Sequence, residues 1–468
     1  MIQTQTDALG TGSVGKLMFR LALPSITAQI INLLYNLVDR MYIGHMDREI
    51  SMYALTGVGV CLPLIMIISA FAALAGMGSA PRASIYLGKN DKDTAENILG
   101  NSTTLLFFIA VVLTFVMFYF AEDMLLLFGA SENTISYAVD YMKIYSLGTI
   151  FVQFTLGLNP FISAQGFAKT SMLTVLIGAI SNIILDPIFI FAFNMGVSGA
   201  ALATIISQAI SMVWIIWFLT GKKTTLRIRK KYLWLKPKIF LPCIALGLSP
   251  FIMQFTESVI AVCFNASLSE YGGDIAVSTM TILTSVMQFS MLPLTGLTQG
   301  AQPVISYNFG AKKPDRVKKA FQIQLISCVS FSTLLWAAMM ITPKTFVLIF
   351  NNNPALLEFA IKPVRIYMCV SCIFGIQIAC QQTFIALGNA KSSLFLALLR
   401  KVILLIPLIF ILPTIFPADK TMAVYWAEPV ADIIAVTVTA LMFFFQFRKA
   451  MNELKESSME QLQTDNSI

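Results

Sequence analysis

The stretch GSAPRASIYLG, residues 78–88, has a counterpart at residues 300–310, which read GAQPVISYNFG. The two stretches share Gly, Pro, Ser and Gly at matching positions, and each position of the second lies 222 residues after its equivalent in the first. The same spacing pairs GFAKTS at 166–171 with GNAKSS at 388–393. One spacing that persists over about ninety residues indicates that the chain contains a duplicated structural unit.

The composition indicates where this duplicated unit lies. Of 468 residues, 57% are hydrophobic and 12% are charged, and the mean hydropathy is +0.77. Soluble domains carry charge on about a quarter of their residues. A chain of this length with so few charged residues is predicted to cross a membrane many times.

The apolar runs predict an all-α fold, because a helix of about 20 apolar residues crosses the ~30 Å hydrocarbon layer with its backbone hydrogen bonds satisfied. Because each copy contains an even number of spans, both copies enter the membrane from the same side. We therefore expect two six-helix bundles related by a pseudo-two-fold axis along the membrane normal. The twelve predicted spans are 16–43, 53–80, 95–120, 134–158, 166–192, 198–220, 239–268, 276–305, 317–341, 357–386, 391–416 and 421–448.

The longest polar connection is GKKTTLRIRKKYLWLKPK at 221–238. It divides the chain into an N-terminal lobe at 1–220 and a C-terminal lobe at 239–448, followed by a tail at 449–468. Basic residues are retained on the cytoplasmic side, so the linker, both termini and the tail are predicted to be cytoplasmic in a multi-pass bacterial inner-membrane protein. These topology signals explain the net charge of +8, and no nucleic-acid partner is predicted.

Asp39 lies within the apolar first span, in YNLVDRMYIG at 35–44. A carboxylate inside the membrane costs at least a few kcal/mol, so it requires a wet cavity, a proton or a partner. One interpretation is a local ion pair with Arg40. Because neighbouring side chains on a helix point about 100° apart, we favour a partner on another helix.

A second acid, Asp186, lies in the fifth span, with Asn182 one helical turn earlier on the same face. Thr204 in the sixth span is predicted at a similar depth, and Tyr141 and Tyr145 of the fourth span can supply hydroxyl groups. Two carboxylates in one confined site favour the binding of a proton, which a proton-coupled switch requires. The alternative is that these polar side chains only hold helices together.

Four segments together resemble the multidrug and toxic compound extrusion (MATE) family, especially its MepA-like bacterial members. They are LVDRMYIG at 37–44, ILDPIFIF at 184–191, GLTQGAQPVISYNFGAKKPDRVKKAF at 296–321 and ALGNAKSSL at 386–394. The resemblance covers essentially the entire chain. It implies twelve helices in two lobes that open as a V toward one side, and export of bulky, often cationic compounds in exchange for H⁺ or Na⁺.

The resemblance also implies a coupling site in the first lobe. The DinF-type branch of the family has an Asp on helix one, Asn-x3-Asp on helix five, a Thr on helix six and a Tyr on helix four. No cofactor and no other metal site is predicted, and Na⁺ is an alternative occupant of the two acids. The matching residues, which form the predicted proton- or cation-coupling set, are Asp39, Asn182, Asp186, Thr204 and Tyr141.

In the second lobe the resemblance is incomplete. Glu257 matches a helix-seven Glu of the NorM-type branch, but the usual helix-ten Asp falls near Ile376, where residues 373–382 offer Gln and no acid. This departure favours coupling through the first lobe and leaves Glu257 as a candidate for binding cationic substrates. The other substrate-binding candidates are Tyr35, Asn36, Tyr145 and Gln254.

Four further charged residues lie within apolar spans. Arg400 and Lys401 are in the eleventh span, and Glu428 and Asp432 share one face of the twelfth. We predict that they pair with one another rather than contact substrate. Pro24 in the first span is predicted to be a point of bending during conformational change.

These observations predict a secondary antiporter that exports cationic or amphipathic drugs by alternating access, with H⁺ as the coupling ion. A Na⁺-coupled exporter, and a flippase for lipids or lipid-linked oligosaccharides on the same architecture, are the alternatives. No HExxH, GxSxG or P-loop motif is present, which argues against a membrane enzyme, and duplicated bundles argue against a channel. Drugs and membrane lipid are the predicted partners of a monomer.

Overall fold

The computed structural model describes residues 3–46, 48–350 and 354–465. Within these ranges the chain is built from helices and their connections, and no strand occurs. The predicted all-α fold class is confirmed.

The described part of the first half contains nine α-helices. Four of them, α2, α4, α9 and α8 with its π-helical continuation, begin and end within a few residues of predicted spans, because the apolar runs that define the spans also form these helices. They are α1 Gln3–Thr11, α2 Val14–Gly44, α3 Arg48–Gly88, α4 Lys92–Tyr119, α5 Ala121–Leu127, α6 Ile135–Leu147, α7 Thr149–Ala164, α8 Ala168–Pro187, which continues as a π-helix over Ile188–Ala192, and α9 Gly196–Thr220.

The second half follows a linker that contains one 3₁₀ turn, Lys230–Tyr232. Its helices are α10 Pro237–Gly310, α11 Pro314–Ile341, α12 Pro343–Leu348, α13 Pro354–Tyr367, α14 Phe374–Ala386, α15 Ala390–Leu398, α16 Ile406–Ile415 and α17 Lys420–Asp465. A 3₁₀ turn at Ser371–Ile373 precedes α14, a π-helix at Leu399–Leu405 joins α15 to α16, and a 3₁₀ turn at Pro417–Asp419 precedes α17.

Helix α10 contains two of the predicted spans. Its 74 residues would extend ~110 Å if straight, several times the ~30 Å hydrocarbon layer. The backbone leaves the helical conformation at Gly273, where φ is 62°, a value that glycine adopts readily.

The number of membrane spans agrees with the prediction once this break is considered. Within the described ranges nine helices are long and apolar enough to span a membrane, and two bent pairs bring the number to eleven. Dividing α10 at Gly273 gives the twelve predicted spans.

Two of the predicted spans are bent, which their apolar sequences do not indicate. The chain turns by 59° between α6 and α7, and by 46° between α13 and the segment that starts at Ser371. The first break lies at Gly148 and the second includes Val370, 222 residues later. The bends therefore occur at equivalent positions of the repeat.

The pseudo-two-fold relation between the halves is also visible in two close backbone contacts. Gly88 packs against the carbonyl of Tyr307, and Gly310 packs against the carbonyl of Ile85. Each residue of the first contact lies 222 positions from a residue of the second. A side-chain carbon at either glycine would collide with the backbone of the other half, so only glycine permits this approach.

One end of the molecule, which we call the linker face, carries the linker, α1 and the last turns of α17. The hydroxyls of Thr6 in α1 and Thr225 in the linker are 2.8 Å apart. Lys312 Nζ donates to the carbonyl of Ser457 at 3.3 Å. We call the opposite end the far face.

The linker is fixed to the first half. Arg229 forms an ion pair of 2.5 Å with Glu96, a buried side chain near the start of α4. The side-chain oxygen of Gln165 accepts from the backbone N–H groups of Thr225 at 2.9 Å and Leu226 at 2.8 Å. The predicted polar connection is thus an ordered part of the N-terminal half.

The last linker residues are bonded to α4 as well. Asn101 Nδ2 donates to the carbonyl of Tyr232 at 3.3 Å, and the backbone N–H of Lys236 donates to Asn101 Oδ1 at 2.6 Å. Helix α10 begins at the next residue, Pro237. The second half therefore starts directly at a residue held by the first.

Two terminal helical segments lie outside the predicted spans. Helix α1 was not predicted, although Leu9 is fully buried, and α17 continues through the predicted tail to Asp465. Met451 and Leu454, within this extension, are buried in the same apolar cluster as Leu9. These segments are amphipathic rather than uniformly apolar, so a search for apolar runs does not detect them.

Candidate functional site

The predicted coupling residues of the first half lie together in the structure. Asp39 on α2, Asn182 and Asp186 on α8 and Thr204 on α9 are all buried, with 8%, 0%, 0% and 4% exposure. Three helices that are separate in sequence therefore place their polar side chains in one interior site near the far-face end of α2.

Asn182 connects two members of this site. Its side-chain Nδ2 donates to Asp186 Oδ1 at 3.1 Å and to the hydroxyl of Thr204 at 3.4 Å. Asn182 and Asp186 are one helical turn apart, so the helix itself sets their separation. The amide thereby fixes the orientation of the Asp186 carboxyl group.

Asp39 and Asp186 have side chains within hydrogen-bonding reach of each other. Asp39 Oδ1 and Asp186 Oδ2 are both buried and have no donor among the described residues. Two ionised carboxylates are acceptors only and cannot bond to each other, and a buried acceptor without a donor is costly. A proton on one of the two carboxyl groups would provide a hydrogen-bond donor for the other.

The backbone after Asp186 departs from α-helical geometry. Pro187 lacks an N–H group, and the chain then forms the wider π-helix Ile188–Ala192. Single π-helical turns occur frequently at functional sites, because they rotate the side chains of a helix relative to its remaining turns. Here the irregular turn directly follows one of the two acids.

Three tyrosines surround the acids. Tyr141 and Tyr145 on α6 stack with ring centroids 6.0 Å apart, and both are buried. The hydroxyl of Tyr35 on α2 interacts with Thr204 and lies near Asp39. Tyr141 therefore lies in the predicted network, whereas Tyr145, a predicted substrate contact, lies in this buried group.

A cavity of about 430 Å³ lies between the halves, closer to the linker face than the acids are. The first half contributes Gln29, Asn32 and Tyr35 from α2, and the second half contributes Gln254 and Gln299 from α10. Two of the predicted substrate contacts, Tyr35 and Gln254, are therefore in its wall. Tyr35 belongs to both the cavity and the acid site.

Asn36, another predicted substrate contact, is exposed and donates to the carbonyl of Asn32 at 2.7 Å. Prediction from sequence missed most of the amides that line the cavity. Gln29 and Asn32 are spaced i, i+3, which places both amides on one side of α2, but this spacing does not indicate what that side of the helix faces. The missed amide side chains are Gln29, Asn32, Asn159, Gln208, Gln299 and Gln302.

The described residues that line this cavity are uncharged. Gln29 Nε2 donates to Gln299 Oε1 at 3.1 Å, so the two halves are joined across the cavity by an amide pair. Asn159 Oδ1 and Gln208 Oε1 are buried and have no donor among the described residues. These two oxygens are thus hydrogen-bond acceptors that the described protein groups leave unsatisfied.

Charged residues within the spans of the second half form ion pairs: the predicted pairing of Arg400 with Glu428 and Asp432 is confirmed, whereas Lys401 pairs with Glu257, which lies outside the predicted set of four. Arg400 bonds Glu428 at 2.7 Å and Asp432 at 2.6 Å, and Lys401 bonds Glu257 at 2.7 Å. All these pairs lie within the second half. Glu257, a predicted substrate contact, thus has a lysine as its partner.

The region where a second-half acid was sought contains amides. Gln377 Nε2 donates to Gln381 Oε1 at 3.3 Å, and Gln381 Nε2 lies 3.4 Å from the hydroxyl of Ser249. Among the described residues no group of three or more His, Cys, Asp or Glu side chains could hold a metal ion. Within the part of the chain that the structure describes, Asp39 and Asp186 form no ion pair with a cationic side chain.

Twelve spans in two equivalent halves, with a cavity between the halves and a buried acid pair adjacent to it, are the architecture of a membrane transporter. The MatE family model matches residues 24–188 and 250–411. The chain belongs to the MATE family.

Similar proteins match nearly the full chain. The multidrug export protein MepA of Staphylococcus haemolyticus is 25% identical over 448 residues, which is 96% of this chain and 97% of MepA. The MATE multidrug transporter DinF-BH, solved in complex with a small-molecule ligand, is 31% identical with a TM-score of 0.85, and the match covers 93% of this chain and 96% of DinF-BH. A MATE transporter in its bent conformation has a TM-score of 0.88 at 22% identity, with coverage of 97% and 99%.

Proposed function

We propose that this chain is an antiporter that exports bulky amphipathic drugs and that H⁺, bound between Asp39 and Asp186, is the coupling ion. The observation that carries this proposal is the pair of facing carboxyl groups, each with a buried oxygen that lacks a donor among the described residues. A shared proton supplies that donor, and its loss leaves two like charges side by side. The state of this pair therefore depends strongly on proton binding.

Proton binding drives transport only if it favours one conformation over the other. Helix α2 is suited to transmit the change, because it carries Asp39 near one end and lines the cavity through Gln29 and Tyr35. Pro24, buried lower in α2, removes one intrahelical hydrogen bond and makes bending at that level easier. We propose that deprotonation and protonation of the acids alter α2 and thereby the shape of the cavity.

The volume of the cavity favours a substrate of the size of a drug molecule. Its volume of about 430 Å³ is within the usual range for small-molecule sites, roughly 300–1,000 Å³. MepA is a multidrug export protein and DinF-BH is a multidrug transporter, which favours the same class of cargo for this chain. A lipid-linked pyrophosphate would require cationic groups, whereas the described lining is uncharged. The cavity therefore favours drugs over the cargo of a flippase.

Na⁺ is the second candidate for the coupling ion. Besides the two carboxylate oxygens, Asn182 Oδ1 is buried without a donor among the described residues, and the hydroxyl of Thr204 is adjacent. Oxygen ligands of this kind suit hard cations. The same site thus offers a ligand set for Na⁺, and the two ions must be separated by experiment.

We also infer that the linker face is cytoplasmic and that the protein is a monomer of the bacterial inner membrane, with lobes at 1–220 and 239–448. The linker residues 221–238 contain eight Lys and Arg, and such residues are retained on the cytoplasmic side.

The proposal is tested by uptake of ethidium into inside-out proteoliposomes under an imposed pH gradient or, separately, a Na⁺ gradient. We expect the pH gradient to drive uptake by the wild type and Asp39→Asn to abolish it, because the amide removes the exchangeable proton. Asp140→Asn, which changes an exposed acid of α6, is the matched control and should leave uptake intact.

Uptake driven only by Na⁺ would reassign the ion while keeping the site, provided that Asp39→Asn still abolishes it. Full pH-driven uptake by Asp39→Asn would reject the acid pair as the coupling site. The absence of uptake under both gradients would reject cation-coupled drug export.

A further inference from the structure

A network of five paired charges lies within the membrane-spanning part of the second half. Arg400 binds both Glu428 and Asp432, and its guanidinium also lies 4.5 Å from the centre of the Phe374 ring. Lys401 binds Glu257. The network is thus formed by two arms, which start at neighbouring residues of the π-helix between α15 and α16.

The two arms differ in exposure. The side chains of Arg400, Glu428 and Asp432 are almost fully buried, and so is that of Lys401, at 7% exposure. The side chain of Glu257, in contrast, is 55% exposed. Glu257 is therefore the acid of this network that a molecule from outside can reach.

Glu257 continues the wall of the cavity between the halves. Gln254, which lines the cavity, lies three residues earlier in α10, so the two side chains are neighbours on the helix surface. The next residue after Glu257, Ser258, has its hydroxyl 3.7 Å from the sulfur of Met66 in the first half. Glu257 thus lies about one helical turn beyond the cavity, beside the boundary between the halves.

The network can accept one additional positive charge. Its three carboxylates outnumber its two cationic side chains by one. The bond of Lys401 to Glu257 uses a single ammonium group on a flexible stem, whereas Arg400 holds its two acids with a planar fork. Lys401 is therefore the cation of this network that is easier to displace, and Glu428 lies near enough to interact with its charge.

We infer that Lys401 is an internal counter-ion that a cationic substrate displaces from Glu257, so that this pair sets the preference of the transporter for cationic over neutral substrates. The inference rests on the proposed drug export. When the substrate cation binds Glu257, the Lys401 ammonium turns toward the excess carboxylate of the Arg400 arm. When the substrate leaves, Lys401 restores the ion pair, which keeps the empty acid neutralised.

The test is equilibrium binding of two fluorescent probes to the purified full chain: ethidium, which is cationic, and Nile red, which is neutral. Lys401→Gln removes the internal competitor and should strengthen ethidium binding by about tenfold, whereas Glu257→Gln should weaken it by about tenfold. The double variant should bind ethidium as Glu257→Gln does, because Lys401 acts only through Glu257. Nile red affinity should stay within about twofold throughout.

Two further variants act as controls. Lys362→Gln breaks an exposed ion pair of 3.2 Å with Asp419, and it should leave both affinities unchanged. Lys401→Arg replaces the point charge with a fork that holds Glu257 more firmly, so ethidium should bind about threefold more weakly. This variant decides the question if Lys401→Gln does not fold.

A purely structural ion pair predicts a different pattern. If Lys401→Gln weakens or does not change ethidium binding, or if Lys401→Arg leaves it unchanged, the inference is overturned while the drug-export proposal stands. If the wild type binds neither probe, the drug-export proposal fails, and the inference fails with it. These measurements use no ion gradient, so their outcome is independent of whether Asp39 couples transport to H⁺.

Discussion

At the scale of single residues, Asn182 determines how Asp186 meets Asp39. Its amide donates to one oxygen of Asp186 and leaves the other oxygen free on the side of Asp39. In the proposed mechanism these are two separate roles: Asn182 orients the carboxyl group, and the carboxyl group is the proposed binding site of the ion.

Replacing Asn182 with Ala tests this division. The variant loses the hydrogen bond to Asp186 while both acids remain, so we expect slower but still pH-driven ethidium uptake, reduced about threefold to tenfold, as for the loss of one hydrogen bond of about 1 kcal/mol. The measurement is the initial uptake rate in proteoliposomes. A complete loss equal to that of Asp39→Asn would assign Asn182 a direct part in ion binding, and an unchanged rate would remove its orienting role.

Asp39 and Asp186 could be predicted from the sequence, because an ionisable side chain inside the membrane is energetically unfavourable and is therefore rare in an apolar span. The amides of the cavity could not, because a neutral amide in a long helix can face lipid, another helix or a cavity. Only the packing of α2 against α10 shows that Gln29 and Gln299 face each other. The pairing of Glu257 with Lys401 is missed for the same reason, since 144 residues separate them.

At the scale of elements, the two halves are in close backbone contact at glycines, which have no side chain. Gly88 in α3 touches the backbone of the second half, whereas a side-chain carbon at Gly59 in the same helix would have no neighbour within 4 Å. The two glycines therefore differ in packing while sharing one helix.

Replacing Gly88 and Gly59 with alanine, one at a time, distinguishes the effect of packing from the effect of helix propensity. Gly88→Ala should lower the free energy of unfolding by about 1–3 kcal/mol, because the methyl group forces the halves apart. Gly59→Ala should be neutral or raise it by up to about 1 kcal/mol. Unfolding in detergent, followed by tryptophan fluorescence, gives both values. Equal effects of the two substitutions would show that the contact at Gly88 does not hold the halves together.

The ends of the spanning helices follow from apolar runs, and the division of α10 at Gly273 agrees with the predicted pair of spans. The bend between α6 and α7 cannot be predicted from the apolar runs, because no proline lies at the break and a glycine inside an apolar run is compatible with a straight helix. Tertiary packing decides that geometry. Its recurrence in the second half shows that it belongs to the duplicated unit.

At the scale of the whole molecule, the orientation in the membrane connects the structure to export. If the linker face is cytoplasmic, a cysteine introduced at Lys223 should react with a membrane-impermeant maleimide only after the cells are permeabilised, because the inner membrane excludes the reagent. Glu132→Cys, on the loop between α5 and α6 at the far face, is the matched variant and should react in intact cells. The native cysteines provide the background, measured on the unaltered chain.

The reverse labelling pattern would place the linker face outside and would contradict the inferred orientation of the transporter. Labelling of both positions in intact cells would instead indicate a mixed orientation. The positive charge of the linker makes the first pattern the expected one.

The attachment of the linker limits how the two halves can separate. Tyr232 and Lys236 are bonded to Asn101 of α4, and α10 starts at the next residue, so no free chain lies between the halves at that corner. If the two halves separate at the linker face, the gap between them should therefore be smallest beside α4 and should widen with distance from α4. Cargo would enter from the edge farthest from that corner.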